Sequence, residues 1–214
     1  MLRPDILNEP FNILTPWTSA DTGTGLSQIN PAGQLELATN LGAAGAAKAK
    51  RYRTILSPPN QFTLEAKVKL DVLGTRANAD MFDIWYSTLT WYLYARLCSD
   101  GLFIYKTGAA STEVGADIVK CNAGAAWQTF RFQVDKTAGE ASAVVETFLK
   151  EEGGSWASQG TVDCDYEAGG SNGRINAPMQ GYTTNNLLGY VEYIRIASGL
   201  GEIGDLYIPS ITLF

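Results

Sequence analysis

The chain has 214 residues, a formal net charge of −6 and a pI near 4.7, with 45% hydrophobic and 18% charged residues. That is the composition of a folded globular protein with room for one large all-β domain or two small ones. Its densest basic run, Lys48, Lys50, Arg51 and Arg53, is too short for a nucleic-acid groove, no apolar stretch reaches the ~20 residues of a membrane helix, and the absence of histidine removes Ser-His-Asp triads, Cys-His pairs and His-based zinc sites together.

In chain order, residues 1–14 (MLRPDILNEPFNIL) interrupt any apolar leader core with Pro and acids, so no signal peptide is expected. The compartment stays open, with an extracellular or virion surface preferred. Gln34–Thr39 alternates as a strand. Leu41–Tyr52 is the one place for a short helix, although its glycines make a loop as reasonable, and the basic run at Lys48–Arg53 reads as a solvated loop. Phe62–Val72 alternates cleanly, with Phe62, Leu64, Ala66, Val68 and Leu70 on one face and Glu65, Lys67 and Lys69 on the other. Strands follow at 81–87 (MFDIWYS) and 90–97 (TWYLYARL). Ser99–Gly101 then forms a tight hairpin turn into "LFIYK". Trp127–Asp135 and Ala141–Leu149 form a second hairpin across "KTAG", and Tyr190–Ser198 is a late strand. Many short strands and few helices predict an all-β, two-sheet antiparallel sandwich in a single domain spanning 1–214. A C-terminal apolar tail covers about 200–214. It adds a strand to its own sheet or docks on a second copy, which makes a homo-oligomer through the tail one option.

Several features carry less than they first offer. Cys98, Cys121 and Cys164 fit no zinc spacing, and an odd count argues against a full disulfide framework. Buried, reduced thiols are expected, with a single bridge as the alternative. Gly199–Gly204 (GLGEIG) matches the dinucleotide pattern, but the strand-like segment after it, with Pro209, offers no helix N-terminus for a pyrophosphate. Asp163, Asp165 and Glu167 share a strand face that would suit calcium, though an acidic edge that resists strand pairing is the simpler account. Glu151 and Glu152 lie in a turn and point apart, a poor catalytic pair.

Taken together, "FTLEAKVKL", the "SDGLFIY" hairpin, "WQTFRFQVD" followed by "ASAVVETFL", and the late "VEYIRI" resemble the concanavalin A-like jelly-roll superfamily of legume-type lectins, laminin G-like domains and family-16-type glucanases. The resemblance spans most of residues 30–198. It implies a jelly roll whose enzymes carry a Glu-x-Asp-x-Glu strand on the concave sheet for retaining hydrolysis. If "MFDIW" is that strand, Asp83 matches the central Asp, while Met81 and Trp85 stand in place of the glutamates. The resemblance then implies a dead enzyme or a binding relative. The family's structural calcium often uses an Asp of the closing strand. Here that position is Glu192, so a structural calcium stays open as an unsupported option and no other cofactor is expected.

Strand parity sorts the faces. With Phe82, Ile84, Leu93, Ala95, Leu97, Leu102, Ile104, Phe130, Phe132 and Val134 inward, the outward set is Asp83, Trp85, Tyr92, Tyr94, Arg96, Tyr105, Arg131 and Gln133. Aromatic rings suit the flat C–H faces of pyranoses, and Arg, Asp and Gln suit their hydroxyls. The same residues could instead sit under loops or form a second small core. The leading expectation is a non-catalytic, lectin-like module that binds an oligo- or polysaccharide on an aromatic/Arg concave face. One alternative is a bacteriophage virion or tail structural/adhesion protein on the same fold. The other is a polysaccharide-cleaving enzyme, glycosidase or lyase, with Tyr92 or Tyr94 as base and Arg96, Arg131 and Gln133 neutralising a uronate.

Overall fold

The computed structural model describes residues 1–11, 14, 16–39, 47–55, 59–75, 81–88, 90–106, 111–116, 118–122, 124–166, 173–181 and 186–204, with backbone alone at 81 and 178–181. They form two antiparallel sheets. In spatial order the first is β13 (Ala157–Asp163), β12 (Val144–Glu151), β11 (Gln128–Asp135), β6 (Gln61–Val72), β15 (Leu187–Ser198), β4 (Leu35–Thr39) and β3 (Gly25–Ile29). β1 (Leu7–Glu9) also pairs with β15, making this the eight-stranded sheet. The second, seven-stranded sheet runs β10 (Ser111–Gly115), β9 (Gly101–Tyr105), β8 (Tyr92–Cys98), β7 (Met81–Ser87), β14 (Arg174–Gly181), β5 (Ala47–Thr54) and β2 (Thr18–Ser19).

Alternation builds the core between the sheets. Phe62, Leu64, Ala66, Val68 and Leu70 of β6 and Phe130, Phe132 and Val134 of β11 are buried against Phe82, Ile84 and Tyr86 of β7 and Leu93, Ala95 and Leu97 of β8. Each such large apolar side chain contributes about 1.5–3 kcal/mol when fully buried. In β15 the inward residues are Val191, Ile194 and Ile196. The period shifts by one because the register with β6 slips between Val191 and Tyr193, as a bulge requires. Trp91, just before β8, is wholly buried, and its indole N–H donates to the Cys164 carbonyl at 2.7 Å.

Two expectations are corrected here. The basic run is neither helix nor loop from residue 47 onward: Ala47–Thr54 is a strand. Residues 41–46 lie outside the described residues. Ala47 and Ala49 face the core, while Lys48, Lys50 and Tyr52 take the opposite parity. Arg51 and Arg53 tie the sheets together: Arg51 Nε donates to Ser27 Oγ at 2.8 Å, and Arg53 Nη1 to Glu9 Oε2 at 2.9 Å. β3 passes so near β5 that a Cβ on Gly25 would lie 1.9 Å from the Lys48 carbonyl oxygen. Arg174–Gly181 is also a strand, absent from the sequence reading. Its ladder with β7 has no pairs between Asn176↔Trp85 and Met179↔Phe82, because Pro178 has no N–H to give. The three cysteines are free thiols, Cys98 and Cys164 buried. Gly199–Gly204 contains no helix. The apolar tail from 205 onward and Glu167 lie outside the described residues.

Candidate functional site

The outward face of the seven-stranded sheet is where the predicted residues converge. Cross-strand register aligns Tyr52 with Asn176, Asn176 with Trp85, and Trp85 with Tyr94. Tyr94 stacks on Tyr105 at 4.7 Å between centroids and 22° between planes. A single row of aromatic and amide side chains thus crosses β5, β14, β7, β8 and β9. Tyr92 stacks on Trp85 at 5.6 Å. Tyr166, from the segment after β13, closes edge-on against Tyr92 at 5.3 Å.

Beside this row lies a polar cluster. Asp83 and Arg96 face each other across β7 and β8, with Arg96 Nε 3.0 Å from Asp83 Oδ1. The Tyr94 hydroxyl donates to Asp83 Oδ2 at 2.9 Å, and Arg96 Nη1 donates to the Tyr105 hydroxyl at 2.6 Å. Arg96 Nη2 also reaches the Tyr94 hydroxyl. The guanidinium carbon lies 4.8 Å from the Tyr105 ring centroid. Asp83 is only 2% exposed. Burial pushes its carboxyl up, while Arg96 and Tyr94 pull it back. For Arg96 burial works against the charge, but Asp83 more than offsets it and holds the guanidinium protonated. Burial first, then the Asp83 charge, pushes the Tyr94 hydroxyl well above the ordinary tyrosine range. Burial and Tyr166 push Tyr92 in the same direction.

Six of the eight predicted residues therefore meet: Asp83, Trp85, Tyr92, Tyr94, Arg96 and Tyr105. Arg131 and Gln133 do not join them. They lie on β11 and face outward from the other sheet. Arg131 Nε donates to Glu65 Oε1 at 2.7 Å, and its guanidinium carbon sits 3.6 Å from the Trp156 ring centroid. The Gly199–Gly204 segment crosses above this pair, its Ile203 N–H donating to the same Glu65 oxygen at 3.1 Å. Arg131 is thus 4% exposed and engaged within the protein. Phe103, also outward, forms a small separate cluster with Cys98, so the second-core alternative holds at that end of the face.

Sequence reasoning missed Lys48, Lys50, Tyr52, Tyr166, Arg174 and Asn176. The alternation in "AKAKRYRT" would have exposed the first three; Pro178 masked the last two. Lys50 Nζ lies 4.7 Å from the Trp85 ring centroid, and Arg174 packs its guanidinium 4.4 Å from that of Tyr52. Burial, then repulsion from Lys48 and Arg174, lowers the Lys50 ammonium to about 8 against the pull of Asp83. The opposite sheet carries a cleft of about 310 Å³ lined by Lys67, Trp127, Lys150, Glu192 and Arg195 among others. There Glu192 is taken by Lys67 at 2.7 Å.

No protein-family model matches the chain, and no curated protein sequence matches it. Solved structures do. Arcelin-5, a lectin-like defense protein from Phaseolus vulgaris, superposes with a TM-score of 0.57 at 9% identity, over 92% of this chain and 98% of that one. The cellulose-induced protein Cip1 gives 0.58 at 14% identity, over 91% of this chain and 100% of that one. A sialidase gives 0.59 at 11% identity over 92% of this chain, which spans 19% of the sialidase. At these identities the likeness is one of fold. The strand order and these superpositions make the chain a two-sheet antiparallel jelly roll with the concanavalin A-like lectin fold.

Proposed function

We propose that this chain is a non-catalytic glycan-binding module whose ligand lies on the outward face of the seven-stranded sheet. The observation that carries this reading is the continuous row Trp85–Tyr94–Tyr105, flanked by Tyr92 and backed by the Asp83–Arg96 pair. Sugars stack on such rings and direct hydroxyls to fixed planar partners. Tethering by Asp83 and Tyr105 presets the Arg96 fork, so little side-chain entropy is lost on binding. Several proteins with this fold are lectins by name, one of them, from Bauhinia forficata, in complex with GalNAc. That supports saccharide binding in general. Binding is favoured over cleavage because Met81 and Trp85 flank Asp83 where the resemblance to glucanases calls for glutamates.

The test is a glycan array with the intact chain, Trp85→Ala and Tyr94→Ala. Binding that both variants lose, with circular dichroism unchanged, is the expected result. Binding indifferent to both would return these rings to a packing role.

A further inference from the structure

We propose that the Lys50–Asn176–Trp85 end of this face receives the carboxylate of an acidic sugar, so that the ligand is a glycan containing uronic acid. This rests on the glycan-binding reading above and names the substrate class. Three observations carry it.

The first is charge. β5, β14 and β7 place Lys48, Lys50 and Arg174 around this end of the face, where Asp83 is the only carboxylate these strands carry. Arg96 already neutralises Asp83. The protein as a whole carries −6, so the local excess of cations opposes the sign of the chain.

The second is the Lys50 ammonium itself. It touches rings rather than a carboxylate: Nζ lies 4.7 Å from the Trp85 centroid and 5.9 Å from that of Tyr52. Repulsion from Lys48 and Arg174 adds to the cost of its burial. An anion from outside would relieve both.

The third is a set of orphaned polar atoms in the same place. Asn176 is 1% exposed, and among the described residues neither its Nδ2 nor its Oδ1 has a hydrogen-bond partner. Trp85 Nε1, on the residue opposite it, is likewise buried and unpartnered. A buried polar group left without a partner is costly, and native proteins keep few of them. Lys50 Nζ lies near both rings that flank Asn176 in the row, Tyr52 and Trp85, on a flexible four-carbon stem.

These atoms fit a uronate. A carboxylate accepts only, and here the donors are Asn176 Nδ2, Trp85 Nε1 and Lys50 Nζ. Asn176 Oδ1 remains to accept from a ring hydroxyl. A neutral hydroxymethyl group in the same position leaves the ammonium without a counter-charge. Tyr94 and Tyr105 continue the row as the platform for neighbouring sugar units.

The experiment titrates the intact chain with oligogalacturonate, oligomannuronate and oligoglucuronate, each beside its carboxyl-reduced neutral form, and with a sulfated neutral oligosaccharide. At least one uronate is expected to bind about tenfold or more tighter than its reduced form, a difference of about 1.4 kcal/mol. Lys50→Met should remove that preference, bringing the acidic and reduced forms to equal affinity, and Lys50→Arg should keep it. Equal affinity for acidic and neutral forms overturns this inference and leaves glycan binding standing. A preference for the sulfated sugar over every uronate also overturns it. Failure of every glycan, acidic and neutral, overturns the parent reading and this one with it.

Discussion

The two outward faces of the sandwich use similar residues to opposite ends. On the eight-stranded sheet an Arg, a carboxylate and a Trp are consumed by the protein. Arg131 is bonded to Glu65 and covered by Trp156, whose indole N–H is itself taken by Glu202 at 3.1 Å. Thr63 and Glu65 then anchor the Gly199–Gly204 segment above them. On the seven-stranded sheet the Asp83–Arg96 pair sits beside a row of rings, while Asn176 and Trp85 Nε1 have no hydrogen-bond partner among the described residues and Lys50 Nζ lies over the Trp85 ring. An arginine beside aromatics is therefore not in itself a site. What separates the two sites is cover: the Arg131–Glu65 pair lies beneath Trp156 and the Gly199–Gly204 segment, whereas the Asp83–Arg96 pair borders a row of partly exposed rings.

The largest expected effect tests the consumed face. Arg131→Met leaves the Glu65 carboxylate, itself 1% exposed, buried without its cation. Such a loss costs about 3–5 kcal/mol, read as a lower midpoint in chemical denaturation, while the folded fraction keeps its glycan affinity. Loss of affinity at unchanged stability would invert the assignment of the faces. A smaller effect on stability comes from Tyr94→Phe, which removes a hydroxyl shared by Asp83 and Arg96 and should cost about 1–3 kcal/mol along with glycan affinity.

Asn176→Leu sharpens the comparison by moving stability and binding in opposite directions. Replacing an unsatisfied buried amide with a side chain of similar size should raise the thermal midpoint of the ligand-free protein. The same change should abolish uronate binding. A lowered midpoint would mean the amide is satisfied within the protein.

The smallest effect is one of pH. Lys50 is faced by Lys48 and Tyr52 from β5, Asp83 and Trp85 from β7, and Arg174 and Asn176 from β14. Its ammonium is lowered from 10.5 to about 8. The folded state therefore disfavours the charged form. This penalty is fully present below pH 8 and fades as pH rises from 8 through 10.5. Affinity for a carboxylate should be level from about pH 5, above the ligand's own titration, to pH 8 and decline above it, and Lys50→Met should flatten that alkaline limb. A profile that persists in the variant would assign the titration to another group.

Much of the fold could be read from the chain because β6, β7, β8, β11 and β12 alternate inward apolar residues with polar or amphipathic ones, and β9 follows a tight Ser99–Gly101 turn. β5 escaped because its inward side chains are the small Ala47 and Ala49, which give hydrophobic periodicity little to register. β14 escaped because Pro178 argues against a central strand. For the site, parity said which residues point out of a strand, and it did so correctly for Arg131 and Gln133. Parity cannot say which sheet that strand joins. That choice is made by long-range pairing, here of β11 with β6 and β12, and it carried both residues to the far side of the molecule. The alternation in "AKAKRYRT" could have placed Lys50 outward, whereas Asn176 carried no local signal, since its significance lies in what fails to bond with it among the described residues.

The most direct measurement of the central claim sets one tryptophan from each face against the other. The intact chain, Trp85→Ala and Trp127→Ala are titrated with the same glycan, and binding is followed by calorimetry. Trp127 lines the cleft on the eight-stranded sheet. The account predicts that Trp85→Ala loses binding and Trp127→Ala retains it. Loss in Trp127→Ala alone would place the ligand on the opposite face and contradict it.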